Sequence, residues 1–235
     1  MKKLFVLIIT LNTITNCYSQ TSAEYYNKGN SKFVLHNYRG AIEDYSKAIE
    51  LDPKNSGAYN NRGNAKSELQ DYQGAIKDFD KSIEINPNGA GSYNNRGLTK
   101  TKLQDYQGAI SDFTKAIKAN PKYSEAYYNR GLTLFGLQKY NEAIADYTKA
   151  IEINPKYVKA YNNRGQAKSD IKEYQEAIID FNKAIELNPK FAEAYNNRGI
   201  AKYILKQKES GCLDLHKAGE LGYAKAYELI DKFCK

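Results

Sequence analysis

The sequence predicts an all-α solenoid: six helix-turn-helix units stacked one on the next, with a capping helix at the C-terminal end. Three observations predict it. Shifted by 34 residues, the chain lays Gly29, Gly63, Gly97, Gly131, Gly165 and Gly199 in one column. Tyr25, Tyr59, Tyr93, Tyr127, Tyr161 and Tyr195 form a second column. The only five prolines, Pro53, Pro87, Pro121, Pro155 and Pro189, form a third. A fixed period of this length marks a repeat architecture, in which each unit buries its apolar face against its neighbours alone.

Each unit reads as two helices, as residues 56–89 illustrate. Tyr59 and Gly63 lie one turn apart, with Leu69 further along, on one face of a first helix. Gln70-Asp71 interrupts that pattern, and Tyr72 leads into a second helix with Ala75, Ile76, Phe79, Ser82 and Ile83 on its inner face. Asn86-Pro87 ends it, because the residue before a proline avoids helical angles and proline has no N–H to donate. Small residues at Gly63, Ala75 and Ser82 let the backbones approach, while Tyr59, Tyr72 and Phe79 fill the space between.

In chain order, residues 1–19 stand outside the repeat. Lys2 and Lys3 precede a short apolar run from Leu4 to Leu11, and Cys17-Tyr18-Ser19 follows. That is the pattern of a secretory signal cleaved before Gln20, and the run is far short of the roughly 20 residues that span a membrane. A rival reading places a lipid anchor on Cys17, although Asn16 stands where a lipoprotein signal has a small residue. The chain is thus expected to be exported, to the periplasm or beyond, without a transmembrane segment.

Units at 22–55, 56–89, 90–123, 124–157, 158–191 and 192–225 follow. The second and third share YNNRG and LQDYQGAI. The fourth departs, with Tyr128, Leu132, Leu134 and Phe135 where the third has Asn94, Leu98, Lys100 and Thr101. The sixth drifts: Lys208, Gly211, Leu215 and Tyr223 replace the columns of Tyr72, Ala75, Phe79 and the proline. Residues 226–235 place Tyr227, Ile230 and Phe233 on one face, as a capping helix does. Cys212 and Cys234 are the cysteines left after cleavage. In an oxidising compartment they can pair, yet Cys212 also fits its column as a small buried hydrophobe.

Tyr127, Gly131, Tyr140, Ala143, Tyr147, Ala150 and Pro155 match the column pattern of the tetratricopeptide repeat, and the chain resembles that family over residues 22–225. The resemblance implies a right-handed solenoid whose first helices line a concave groove, and a non-catalytic role in binding proteins or extended peptides. One departure is systematic. Where the family usually has an apolar residue before the Gly and an aromatic after it, this chain has Arg62, Arg96, Arg130, Arg164 and Arg198, and Lys32, Lys66, Lys100, Lys168 and Lys202.

Three sets of columns are candidates for function. Asn61, Asn95, Asn129, Asn163 and Asn197 recur after Asn27, with Asn60, Asn94, Asn162 and Asn196 beside them. On the family's geometry they lie along the groove, where an amide both donates to and accepts from a peptide backbone; a bond to a neighbouring helix is the other reading. The arginines are expected to pair with the preceding unit's aspartate: Asp44–Arg62, Asp78–Arg96, Asp112–Arg130, Asp146–Arg164 and Asp180–Arg198. As exposed pairs these would be worth at most about 1 kcal/mol each. Tyr128, Leu132 and Phe135 sit at helical spacing and are expected either to anchor a partner's apolar side chain or to pack within the stack.

Other classes are excluded or unsupported. Losing Lys2 and Lys3 leaves 33 Lys and Arg against 27 Asp and Glu, a net charge of +6 spread through every unit, without a basic block. No nucleic-acid partner is expected. His36 and His216 have no nucleophile or metal-ligand pattern beside them, and no phosphate loop or CxxC is present, so neither enzyme activity nor a cofactor is expected. The columns in which chaperone-binding relatives carry a lysine clamp hold mostly Asn, with a lone Lys159.

Overall fold

The computed structural model describes residues 20–234. The expected leader at 1–19, with Cys17, lies outside the described residues. Six helix pairs follow one another: α1 (Ser22–Val34) with α2 (Tyr38–Leu51), α3 (Ser56–Glu68) with α4 (Tyr72–Ile85), α5 (Ala90–Lys102) with α6 (Tyr106–Ala119), α7 (Ser124–Gly136) with α8 (Tyr140–Ile153), α9 (Val158–Asp170) with α10 (Tyr174–Leu187), and α11 (Ala192–Ile204) with α12 (Lys208–Glu220). A last helix, α13 (Lys225–Phe233), packs on α12.

The turns between paired helices share one backbone pattern, and in the first three units an Asn or Asp side chain also caps the second helix. Leu69 caps α3, Gln70 takes a left-handed φ of 63°, and Asp71 caps α4 by accepting from the Gly74 N–H at 3.0 Å. The Gln70 and Asp71 N–H groups return to the carbonyls of Ser67 and Lys66, closing a Schellman turn. His36, Gln104, Gln138, Lys172 and Lys206 take the same conformation. Between units, α2 stops at Leu51 because extended Asp52 precedes Pro53.

Within a unit the glycine column admits a ring. A Cβ on Gly63 would stand 2.8 Å from Phe79, which is fully buried beneath it. The sixth unit solves the same problem differently. Leu215 replaces the ring, and Gly199 and Gly211 let α11 and α12 approach until a Cβ on either would meet the other's carbonyl at 2.9 Å.

The charge ladder differs from expectation in its pairing. Each arginine grips the aspartate of its own unit: Arg62 Nε and Nη2 donate to both oxygens of Asp78, at 2.9 and 2.7 Å. The same fork joins Arg96 to Asp112, Arg130 to Asp146, Arg164 to Asp180 and Arg198 to Asp214. The expected pairs, from Asp44–Arg62 to Asp180–Arg198, do not form. What crosses to the preceding unit is the remaining Nη1, which reaches Ser46, Asp80, Thr114, Thr148 or Asn182, two residues past the expected aspartate. A second cation, Lys66, Lys100, Lys168 or Lys202, completes each buried carboxylate except Asp146, where Leu134 takes the lysine's place. In the first unit Lys32 alone serves Asp44. These aspartates are buried, so the exposed-pair estimate does not apply to them.

At the C-terminal end Cys212 and Cys234 are disulfide-bonded, their Cα atoms 5.7 Å apart. Phe233 stacks on Tyr203 at 4.3 Å, and Ala226 is the buried residue of α13. Tyr227, expected on the packed face with Ile230 and Phe233, is largely exposed, its ring lying beside Gly219.

Candidate functional site

First helices of successive units pack on one another, α1 on α3, α3 on α5 and so on to α9 on α11, and the second helices make no comparable approach. The first-helix side is therefore the shorter, inner side of the stack.

The asparagine columns lie on this side, and most of their hydrogen-bonding capacity is spent between units. Asn95 Nδ2 donates to Asn60 Oδ1, Asn129 to Asn94 and Asn197 to Asn162, at 3.0–3.1 Å. Where tyrosine replaces the acceptor the bond persists: Asn61 donates to the Tyr26 hydroxyl and Asn163 to that of Tyr128, both at 3.0 Å. Within the second, third, fifth and sixth units Asn60, Asn94, Asn162 and Asn196 donate to their neighbours Asn61, Asn95, Asn163 and Asn197. Asn94, Asn162 and Asn196 are buried and present no surface to a ligand, which corrects their expected place in the groove. Asn60, Asn61, Asn95, Asn129, Asn163 and Asn197 remain half-buried at its floor.

The apolar triplet of the fourth unit divides. Tyr128 lies against Tyr157 at 4.7 Å and Tyr147 at 5.9 Å, and burial raises the pKa of its hydroxyl. Phe135 packs edge-on against Tyr140 at 5.5 Å, as Phe33 does against Tyr38 in the first unit. Both belong to the stack rather than to an open anchor, because their rings fill the space between the two helices of the unit and the next. Leu132 alone stays open, 39% exposed, and meets Leu98 (41% exposed), Thr101, Tyr106 and Asn129 around a cavity of about 210 Å³ between α5 and α7.

Leu132 belongs to a column that the repeat left unconstrained: Asn30, Asn64, Leu98, Leu132, Gln166 and Ile200, each one residue past the glycine. These side chains line the pits between consecutive first helices. Leu98 and Ile200 were missed as candidates, and the signal that finds them is an apolar residue in a column whose other members are amides.

Elsewhere the chemistry is sparse. His36 Nδ1 lies 2.8 Å from the Tyr38 hydroxyl in a turn, and His216 is exposed on α12. Among the described residues no three His, Cys, Asp or Glu side chains are placed to hold a metal ion, and no helix is long and apolar enough to cross a membrane.

A family model described as tetratricopeptide repeat matches residues 22–55, 56–88, 90–123, 124–157 and 158–191, and a second model of the same description matches 181–212. No curated protein matches the sequence. Among solved structures, YrrB, a TPR protein with an unusual peptide-binding site, is 24% identical, with a TM-score of 0.68 over 81% of this chain and 99% of that one. MamA is 29% identical, with a TM-score of 0.63 over 70% and 96%. PilF of Pseudomonas aeruginosa is 16% identical, with a TM-score of 0.79 over 90% and 97%. At these identities YrrB and PilF speak for the fold alone.

Proposed function

The chain belongs to the tetratricopeptide repeat family, and on that premise we propose that it holds an extended segment of a partner protein along its first-helix face. The family's fold is a scaffold for protein–protein interaction and is generally non-catalytic. The observation that carries the finer reading is the pit of Leu98 and Leu132. Two large aliphatic side chains stay open side by side, while the amides around them are engaged within the stack. An apolar side chain of the segment fills this pit. Asn95 and Asn129, each with one amide hydrogen committed, keep a second for the segment's backbone. A groove so held costs little ordering on the protein's side.

We place the protein outside the cytoplasm. The Cys212–Cys234 disulfide supports this, since such bonds persist in oxidising compartments. A second reading, a structural subunit of a cell-envelope assembly held through its second-helix side, draws on Ile179 and Leu213, which stand 66% and 71% exposed on α10 and α12.

The test is capture of partners from envelope and culture fractions by the chain from Gln20, beside a Leu98→Asn, Leu132→Asn variant of unchanged helicity. Loss of a partner from the variant supports the groove. Retention by the variant, with loss on Ile179→Asn, Leu213→Asn, replaces it with the second-helix reading.

A further inference from the structure

One pit on the first-helix face differs in chemistry from the rest. It lies between α9 and α11, a cavity of about 170 Å³ where Ile200 and Ile204 face Gln166, Ser169 and Asp170. Asp170 is the last residue of α9, where the helix carbonyls already concentrate negative charge and an acid is unfavourable. The matching positions of the other first helices hold Val34, Glu68, Lys102, Gly136 and Ile204, so the fold does not demand an acid there.

The nearby first-helix cations are committed elsewhere: Lys168 to Asp180 and Lys202 to Asp214, each at 2.8 Å. Asp170 itself makes no ion pair among the described residues; its side chain is exposed at the end of α9, and partial desolvation raises its pKa. Beside it, Ser169 Oγ is buried without a hydrogen-bond partner, whereas the matching Ser67 Oγ meets Thr99 Oγ1 at 3.4 Å. An unpaired carboxylate and an unmet hydroxyl thus share a pit with two aliphatic side chains.

We propose that this pit takes a lysine or arginine side chain of the partner segment. The aliphatic stem lies along Ile200 and Ile204, and the cationic head donates to Asp170, exposed at the end of α9. Long basic side chains bury their stems in this way, and a charge-assisted bond to a carboxylate is the strong kind. A purely aliphatic side chain forgoes the charge-assisted bond to Asp170, and an acidic one is repelled. The proposal rests on the groove reading. It gives the segment a basic residue about two units C-terminal, along the stack, to the apolar residue held by Leu98 and Leu132.

The experiment titrates Nα-acetyl-arginine methylamide into the protein and follows the methyl signals of Ile200 and Ile204 by NMR. The uncharged citrulline counterpart, Asp170→Asn and Glu68→Gln serve as comparisons. The expected result is saturable shifts in the parent and in Glu68→Gln, with binding about tenfold weaker for citrulline and for Asp170→Asn, the size of one lost charge-assisted bond. Equal binding of citrulline, equal binding to Asp170→Asn, or no shift at either isoleucine overturns the proposal. A random-peptide library selected on the same protein separates the two levels. Selected peptides that fail on Leu98→Asn, Leu132→Asn yet carry no basic residue keep the groove and reject the cation pit. A library that gives no binder rejects the groove as well.

Discussion

Asn95 donates its side-chain amide to Asn60 Oδ1 at 3.1 Å, joining first helices of adjacent units across 35 residues of sequence. The same bond recurs from Asn129 to Asn94, the latter a buried acceptor. Asn129→Ala is therefore expected to lower the unfolding free energy by about 1–3 kcal/mol, the cost of an unmet buried acceptor. Asn27→Ala, in the exposed first member of the column, should stay within about 0.5 kcal/mol. Urea unfolding followed by circular dichroism measures both.

The arginine forks make a second contrast. Arg130 holds a buried Asp146 by two bonds and reaches back to Thr114, and Asp146 has no lysine beside it, so Arg130→Ala should cost about 3–5 kcal/mol by stranding a buried charge. Breaking the exposed pair Lys183–Glu186 should leave the stability almost unchanged. Equal losses for the two would mean that the ladder acts as a surface feature.

Tyr45 and Tyr147 occupy one column with opposite fates. The Tyr45 hydroxyl donates to Asn30 Oδ1 at 2.9 Å, while that of Tyr147 is buried without a partner because Leu132 stands in the column of Asn30. Tyr45→Phe is expected to cost about 1 kcal/mol, and Tyr147→Phe to be neutral or stabilising. Thermal unfolding of the two variants checks the sign.

Tyr45 also sets a pH dependence. Burial, first, and Tyr26 beside it push its pKa up to about 12 from the ordinary 10.0. A phenol ionising later in the folded than in the unfolded chain contributes stability that is full below pH 10 and is lost as pH climbs towards 12. Stability measured by urea unfolding should fall across that window, and less steeply in Tyr45→Phe. Absorbance at the phenolate band should show a component titrating at about pH 12 that is missing from Tyr45→Phe.

Sequence periodicity exposes the columns and hence the helix pairs, because the glycine, ring and proline positions each answer a local demand: close packing at Gly63, the Phe79 ring beneath it, and a stop at Pro87. It does not expose which unit a side chain bonds to. Arg62 and Asp78 lie 16 residues apart, and so do Arg62 and Ser46 in the other direction. The two directions along the chain are equivalent in a column alignment, so the fork's true partner emerges only from the packing. The left-handed turns were equally hidden, since Gln70 and its counterparts carry no glycine to announce them. For the groove, an apolar triplet at helical spacing looked like one patch. Burial separates it, because Tyr128 and Phe135 fill gaps between helices while Leu132 has none to fill.

The most direct measurement of the groove reading is photo-crosslinking of a captured partner from p-benzoylphenylalanine placed at position 132 in one variant and at 213 in another. Leu132 opens on the first-helix face and Leu213 on α12, so the two positions report opposite sides of the stack. A crosslink from position 132 and none from 213 is the predicted result. A crosslink from 213 alone contradicts it and assigns binding to the second-helix side.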